Sequence, residues 1–274
     1  GELHLAAKSG DERAFADLGY NHDFDGLKVM ARLRYDQMKA MGDYPYDYGD
    51  EDASVVIERD TGRSESIGAE LQASKTFLGS HRLTAGAEYR NDLRLILQSK
   101  DLVPYMLYQD IERSGNTFGL YVQDEFPVLT NLALTIGLRY DHFSTFGDTW
   151  NPRAALIYTP WDETVVKVLY GSAFRAPNPF ELYYQSPGYK ENLDIAPETI
   201  RTYEIVMEHN FGKNIWGCVS LFRNDVDDLI DSVDDPVDGL GISDNVGAVT
   251  AKGAELELNG RWQGGWQAGL SYGF

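Results

Sequence analysis

The sequence predicts an all-β chain, an antiparallel transmembrane β-barrel with short turns on one rim and long loops on the other. Three observations carry this. Segment after segment keeps a period of two, most cleanly where Leu132, Leu134, Ile136, Leu138 and Tyr140 share one face and Thr135, Gly137, Arg139 and Asp141 take the other. Connections alternate in length, short at 22–26, 78–81, 127–131, 160–163 and 212–214, long at 39–63, 100–114, 176–198 and 228–247, with 143–150 a modest member of the long set. That rim asymmetry is the layout of a barrel with tight periplasmic turns and long extracellular loops, and a two-layer soluble sheet does not predict it. Finally, 17 Tyr, 12 Phe, 5 Trp and 27 Gly fit amphipathic strands with aromatic ends. No run approaches the ~20 apolar residues of a membrane helix.

Taken in order, residues 1–7 read as a strand remnant and 13–22 as a second strand, with a polar turn at 8–12. Residues 27–38 set Val29, Ala31, Leu33 and Tyr35 against Arg32, Arg34 and Asp36. The stretch 39–63 interleaves Tyr44, Tyr46 and Tyr48 with Asp43, Asp47, Asp50, Glu51 and Asp52. It reads as a surface loop or as a strand carried beyond the membrane, with 55–58 its returning edge. Residues 64–77 and 82–99 are strands, the second placing Leu83, Ala85, Ala87 and Tyr89 opposite Thr84, Gly86, Glu88 and Arg90. After the long connection at 100–114, residues 116–126 set Phe118, Leu120 and Val122 against Gly119, Tyr121, Gln123 and Glu125. Prolines at 177, 179, 187 and 197 exclude helix from 176–198 and make it an ordered crossing between strands. The last strand is 266–274. The count is about thirteen. Bacterial single-chain barrels have even counts, so the chain reads as part of a larger barrel of about 22 strands.

Composition excludes several functions. The net charge is −19 and Lys and Arg form no basic stripe, so nucleic acid is not an expected partner. The single cysteine, Cys218, makes no internal disulfide, and no Cys/His spacing suits zinc. No nucleophile elbow, metalloprotease motif or phosphate loop is present, so the chain is not read as an enzyme. The first residues lack a basic start followed by an apolar stretch, which reads as no signal peptide. Asp225, Asp227, Asp228 and Asp231, followed by Asp234, Asp235 and Asp238, offer hard oxygen ligands for a structural calcium ion, against the alternative of a solvated acidic loop. An EF-hand is excluded, because Ile230 occupies the glycine position and no Glu closes the loop. Residues 46–52 form a weaker second candidate. No other cofactor is expected.

The motif Phe174-Arg175-Ala176-Pro177, then Glu181-Leu182-Tyr183, Pro197-Glu198 and Tyr203-Glu204, resembles the signature of the TonB-dependent outer-membrane receptors. Tyr121-Val122-Gln123-Asp124-Glu125-Phe126, Gly137-Leu138-Arg139-Tyr140-Asp141, Asn151-Pro152-Arg153, the passage from Phe222 to Ile230 and Asn245-Val246-Gly247 resemble further segments of that family, in family order. Where the family has Asn-Pro-x-Leu-Lys-Pro-Glu this chain has Asn192-Leu193-Asp194-Ile195-Ala196-Pro197-Glu198, which leaves the local loop shape open.

The resemblance implies that 1–274 is a partial receptor barrel. Its plug domain and energy-coupling box are not recognisable in these residues. It implies the outer membrane of a Gram-negative bacterium, with lipid and lipopolysaccharide around the barrel. It implies active uptake of a scarce nutrient, powered by the TonB complex through the plug. The expected cargo is a small-molecule metal chelate, a ferric siderophore first, with cobalamin or haem as further options; a passive porin or structural barrel is the alternative. Arg175, Pro177, Glu181, Pro197, Glu198 and Glu204 are expected to brace the long loop through charge-assisted hydrogen bonds. Tyr44, Tyr46, Tyr48, Tyr105, Tyr108, Tyr183, Tyr184 and Tyr189 are expected to contact ligand, with an interfacial girdle as the competing role.

Overall fold

A strand that is greasy on one side and wet on the other must still pair every backbone N–H and C=O with a neighbour. The computed structural model describes residues 6–46 and 55–274 and shows such ladders between successive strands of the wall. The elements follow as β1 (Lys8–Phe24), β2 (Leu27–Tyr46), β3 (Val56–Phe77), β4 (His81–Asp101), β5 (Met106–Leu129), β6 (Leu132–Phe143), β7 (Gly147–Trp161), β8 (Thr164–Arg175), α1 (Pro179–Tyr183), β9 (Tyr189–Lys190), β10 (Glu198–Asn210), β11 (Ile215–Asp227), β12 (Ile230–Asp234), β13 (Gly241–Asn245), β14 (Val249–Arg261) and β15 (Gln267–Gly273). Twelve strands form one wall in the order β1 to β8, β10, β11, β14, β15, each antiparallel to its neighbour. Among the described residues β1 pairs only with β2 and β15 only with β14, so the wall runs as an open sheet. β12, β13 and β9 make a small separate sheet. Among the described residues the expected thirteen strands thus become twelve in the wall plus three beside the loops.

The wall has no apolar interior of its own. Leu33, Leu71, Leu120, Leu138, Ile205 and Leu221 point outward and are exposed. The buried apolar cluster is confined to Leu182, Ile195 and Ile230, in the loops. A water-soluble sheet would cover that outward face; a lipid-facing wall leaves it bare. On β6 the apolar band from Leu132 to Tyr140 has the length of a strand that crosses the hydrocarbon core. Aromatic side chains bracket it. Phe24, Phe77, Trp161, Phe211 and Trp266 lie at the short-turn end, while the ring pairs Tyr140–Trp150 (4.7 Å) and Tyr170–Tyr203 (5.2 Å) mark the other level. The short turns are local in origin. Asp25 and Gly26 both take positive φ, the hallmark of a two-residue hairpin turn, and the Asp23 side chain accepts from the Gly26 N–H at 2.7 Å.

At the long-loop end the structure corrects the sequence reading. The stretches 39–46 and 56–63 are strand, paired from Lys39↔Arg63 to Tyr46↔Val56. Of 100–114, only 102–105 connect β4 to β5, and of 143–150 only 144–146 connect β6 to β7. The polar turn expected at 8–12 is the start of β1, residues 6–7 precede it, and 1–5 lie outside the described residues. All these misreadings have one cause. Above the lipid a strand needs no apolar face, so its alternation fades although its ladder continues. Pro45 fits because pairing with β1 stops at Asp43, leaving β2 a single neighbour there. The helix thought to be excluded by prolines is α1, in which Pro179 takes the first helical position, where its missing N–H costs nothing.

A charge on the lipid face should cost far more than one on the lumen face of the same strand. Ile136→Arg should destabilise the bilayer-inserted protein by about 2–4 kcal/mol, while Thr135→Arg should cost much less. Denaturant titration of the full-length protein refolded into lipid vesicles measures both; equal losses would contradict the assigned facing.

Candidate functional site

Strand lengths create the site. Thr117 on β5 pairs with Phe143, where β6 ends, so residues 106–116 rise on the order of 35 Å above the β6–β7 hairpin at ~3.3 Å per residue. The loops 176–197 and 228–248 fill the notch this leaves. Arg175, the last residue of β8, faces Glu198, the first of β10. Its guanidinium donates to Glu198 through Nε (2.6 Å) and Nη2 (2.7 Å), and through Nη1 to both Glu181 oxygens (2.9 Å). Glu198 also accepts from the Ile230 N–H at 2.9 Å, so one carboxylate ties both loops to the wall. The Arg175 guanidinium holds the Glu198 carboxyl below the usual range. Glu181 closes a capping box: its side chain accepts from the Asn178 N–H (2.7 Å), and the Asn178 side chain accepts from the Glu181 N–H (3.0 Å). Pro177 and Pro197 flank this fork at the two ends of the crossing. Glu204 does not join it; it lies further down β10 and accepts from the Ser220 hydroxyl at 2.6 Å.

The two loops fold as one body, called the cap below. Leu182, Ile195 and Ile230 form its core, with Tyr183 packed against them. Asn245 staples its halves: Nδ2 donates to the Ala196 carbonyl (3.0 Å) and the Asp228 carbonyl (2.7 Å), and Oδ1 accepts from the Ala196 N–H (2.8 Å). Asn192 donates to the Ser243 carbonyl at 2.9 Å. The expected calcium ligands do not converge. Asp225 accepts from Arg223 and Thr250, Asp227 pairs with Arg201, Asp228 sits in a turn with φ of 56°, and Asp231 accepts from the Ser232 N–H. Among the described residues no three His, Cys, Asp or Glu side chains gather so as to hold a metal ion. Lys190 does part of the work assigned to a cation, bridging Asp235 and Asp238 and holding both carboxyls below the usual range.

The cap also reaches sideways to the tall hairpins. Gln109 of β5 donates to the Tyr183 carbonyl, Arg113 lies 5.7 Å from the Tyr183 ring centre, and the Tyr184 hydroxyl stands 3.5 Å from Glu58 of β3. The Phe180, Tyr184 and Tyr189 rings pack together at 4.2–6.0 Å. Of the other tyrosines expected to meet ligand, Tyr44 sits opposite Glu58 across the ladder, Tyr46 opposite Val56, and Tyr108 donates to Asp101. Tyr105 stands at the β4–β5 tip, 65% exposed. Tyr48, with Asp50, Glu51 and Asp52 of the second calcium candidate, lies outside the described residues. Sequence reading missed Glu58, Ser99, Asp101 and Gln109, all buried, because only strand register brings them under the cap.

Below the cap the inner face of the wall carries a charged net around a recess of about 700 Å³. Arg139 donates to Glu88 (2.8 and 3.0 Å) and to Asp141 (2.7 to 3.0 Å), and Arg32 donates to Asp17 (2.8 and 2.9 Å). The Tyr121 ring lies flat over Gly86, where a Cβ would stand 2.3 Å from it.

The chain matches the family model described as TonB dependent receptor-like, beta-barrel, over residues 4–274. It is 29% identical over 143 residues to the ferric enterobactin receptor of Pseudomonas aeruginosa, a match covering 46% of this chain and 19% of that protein. It is 24% identical over 203 residues to the iron-regulated outer membrane virulence protein of Vibrio cholerae, covering 68% of this chain and 29% of that one. A crystal structure of a mutant of the Pseudomonas aeruginosa ferric enterobactin receptor superposes on 97% of this chain and 43% of its own, with a TM-score of 0.77 at 20% identity, a likeness of fold. The chain spans less than half of that receptor.

Because Glu198 serves both loops, Glu198→Ala should loosen them together. Limited proteolysis of the full-length protein in detergent should cut 176–198 and 228–247 at similarly raised rates, and release of one loop alone would contradict a single body. Its depressed pKa gives the sign with pH: the brace is fully present above the ordinary glutamate range and is lost only as pH falls through the lower folded value. Wild-type resistance to proteolysis at the fork should therefore persist into mildly acidic solution.

Proposed function

The chain belongs to the TonB-dependent receptor β-barrel family, and from that premise we propose that it forms wall and loop cap of an outer-membrane receptor for active, TonB-coupled uptake of a scarce nutrient. A ferric siderophore or other metal chelate is the proposed cargo. The observation that carries this reading is the cap itself. A wall that served only as a passive pore has no need of a braced body with its own core standing over the notch, lined by Phe180, Tyr184 and Tyr189. Amphipathic rings of this kind suit a flat, partly apolar chelate, offering both a stacking face and a hydroxyl donor. The names of the two relatives, a ferric enterobactin receptor and an iron-regulated protein, point the same way. Partners follow from the same reading: lipid and lipopolysaccharide against the outward apolar face, and the TonB complex acting through a plug domain.

The test is uptake by the full-length receptor in a strain lacking its own receptors, with radiolabelled ferric siderophores, haem and cobalamin offered in turn. Saturable uptake of one ferric chelate that stops on adding a protonophore is expected. Uptake that neither saturates nor responds to the protonophore would favour the porin. Tyr105, exposed at a hairpin tip, is the tyrosine best placed to meet ligand first. Tyr105→Ala should raise the chelate concentration for half-maximal uptake about fivefold, the equivalent of roughly 1 kcal/mol for one stacked ring.

A further inference from the structure

Under the cap lies a niche of carboxylates. Glu58 on β3 is 3% exposed and Asp101, its partner across the ladder on β4, is 4% exposed. Asp60, two residues along β3, has one oxygen, Oδ1, that is buried without a hydrogen-bond partner. The groups that face Glu58 are Tyr44 and Tyr46 from β2, Asp60 from β3, Ser99 and Asp101 from β4, and Tyr184 from the cap. Tyr108 from β5 donates to Asp101, and Gln109 beside it holds the Tyr183 carbonyl. Among the described residues neither Glu58 nor Asp60 has a lysine or arginine partner; Arg59, between them, turns to Asp43 at 2.6 Å. Lys100, opposite Arg59 across the ladder, donates to Gln98 at 2.7 Å. A carboxylate cluster normally gathers a cation or stays in water, and this one does neither.

We propose that the contact between the cap and the tall hairpins is a proton-sensitive latch: the cap closes over Glu58 and Asp60 when they are neutral, and lets go when they ionise. The geometry sets the direction. Closing moves Tyr184 onto Glu58 and shuts water out of the niche, while opening lets water solvate the negative charges. Burial is the main cause pushing Glu58 up from its ordinary value, and the charges of Asp60 and Asp101 push the same way, against the hydrogen bonds from Ser99 and Tyr184. Burial pushes Asp60 up as well. A group whose value is raised in the closed state favours closure below that value and loses it as pH rises through it. Tyr184 stays protonated, since burial and the same acids raise its value too, so it remains a donor on both sides of the transition. The hinge end behaves differently, because the Arg175 guanidinium holds the Glu198 carboxyl below its ordinary value while burial lifts Glu58 above its own. The cap thus swings about the β8–β10 end and releases at the β3–β5 end. The latch deepens the receptor reading as a control on access to the same loops, and rests on that reading for its consequence, but its test needs no ligand.

The experiment is hydrogen–deuterium exchange on the full-length receptor in lipid nanodiscs, from about pH 4, near the ordinary carboxylate range, to about pH 8. Exchange of 178–190 is read against 249–261 of β14, which corrects for the intrinsic pH dependence. Corrected protection of the cap should rise as pH falls, up to about tenfold for each pK unit by which closure raises Glu58. In Glu58→Gln the cap should stay protected and the slope should flatten. In Asp60→Asn, which removes one like charge, the midpoint should move to lower pH; this variant carries the test if Glu58→Gln does not fold. Flat protection in the wild type, an unchanged slope in Glu58→Gln or an unmoved midpoint in Asp60→Asn overturns the latch. Loss of chelate uptake with the exchange pattern intact would count against the cargo and leave the latch standing.

Discussion

Pairing of backbone groups between neighbouring strands is the constraint from which the rest of this molecule follows. With its apolar side chains facing outward, the wall cannot rely on a buried core, and its continuity comes from ladders such as the one that runs without a break from Lys28↔Ser74 to Tyr46↔Val56 between β2 and β3. In lipid an unpaired N–H costs several kcal/mol, which makes the ladder obligatory within the membrane. Above the membrane water could take over, yet the ladders persist. Those extended hairpins are where the functional geometry arises. Because β4 and β5 outrun β6 and β7, the rim is uneven, and only an uneven rim gives a loop something to lean on from the side.

The cap meets that rim with two kinds of chemistry. Its base is charge-rich and paired: Arg175 satisfies two carboxylates at once, and Glu198 hands its remaining capacity to the Ile230 N–H. Such a bidentate fork fixes direction as well as distance, which a single lysine would not. Its far side is built from tyrosines and acids without a paired base at Glu58 or Asp60. Between the two lies a core of three aliphatic side chains, enough to keep the loops together but small enough that their placement depends on both ends.

Much of the wall was legible in the sequence, and for a plain reason. Between Leu132 and Tyr140 each residue answers to lipid or to lumen, so the period of two is written into the side chains. The same reasoning fails at Lys39, at Lys100 and at Lys8, where water lies on both sides and nothing forces alternation. It also fails at Pro179, where position within the helix mattered more than residue type. Of the candidate site, the Arg175–Glu181–Glu198 fork could be read from the motif because its members are close in sequence or lie at adjacent strand ends. Glu58, Asp101 and Gln109 could not, since their proximity to Tyr183 and Tyr184 depends on the register of three ladders and on how far the hairpins rise. The acids near Asp225 were read as a cation site; the structure divides them among Arg223, two residues from Asp225, and Arg201 and Lys190, which lie far from their acids in the chain.

The opposite signs at the two ends of the cap give it a direction of motion. Glu198 is held low by a guanidinium, so pH must fall below the ordinary glutamate range before the base weakens. Glu58 is held high by burial, so the far contact responds first as solution becomes less acidic. Under the proposed latch, a body anchored by the first and released by the second hinges about the β8–β10 end. The direction follows from which residue sits beside arginine and which sits beside other acids, a difference set by sequence spacing together with strand register.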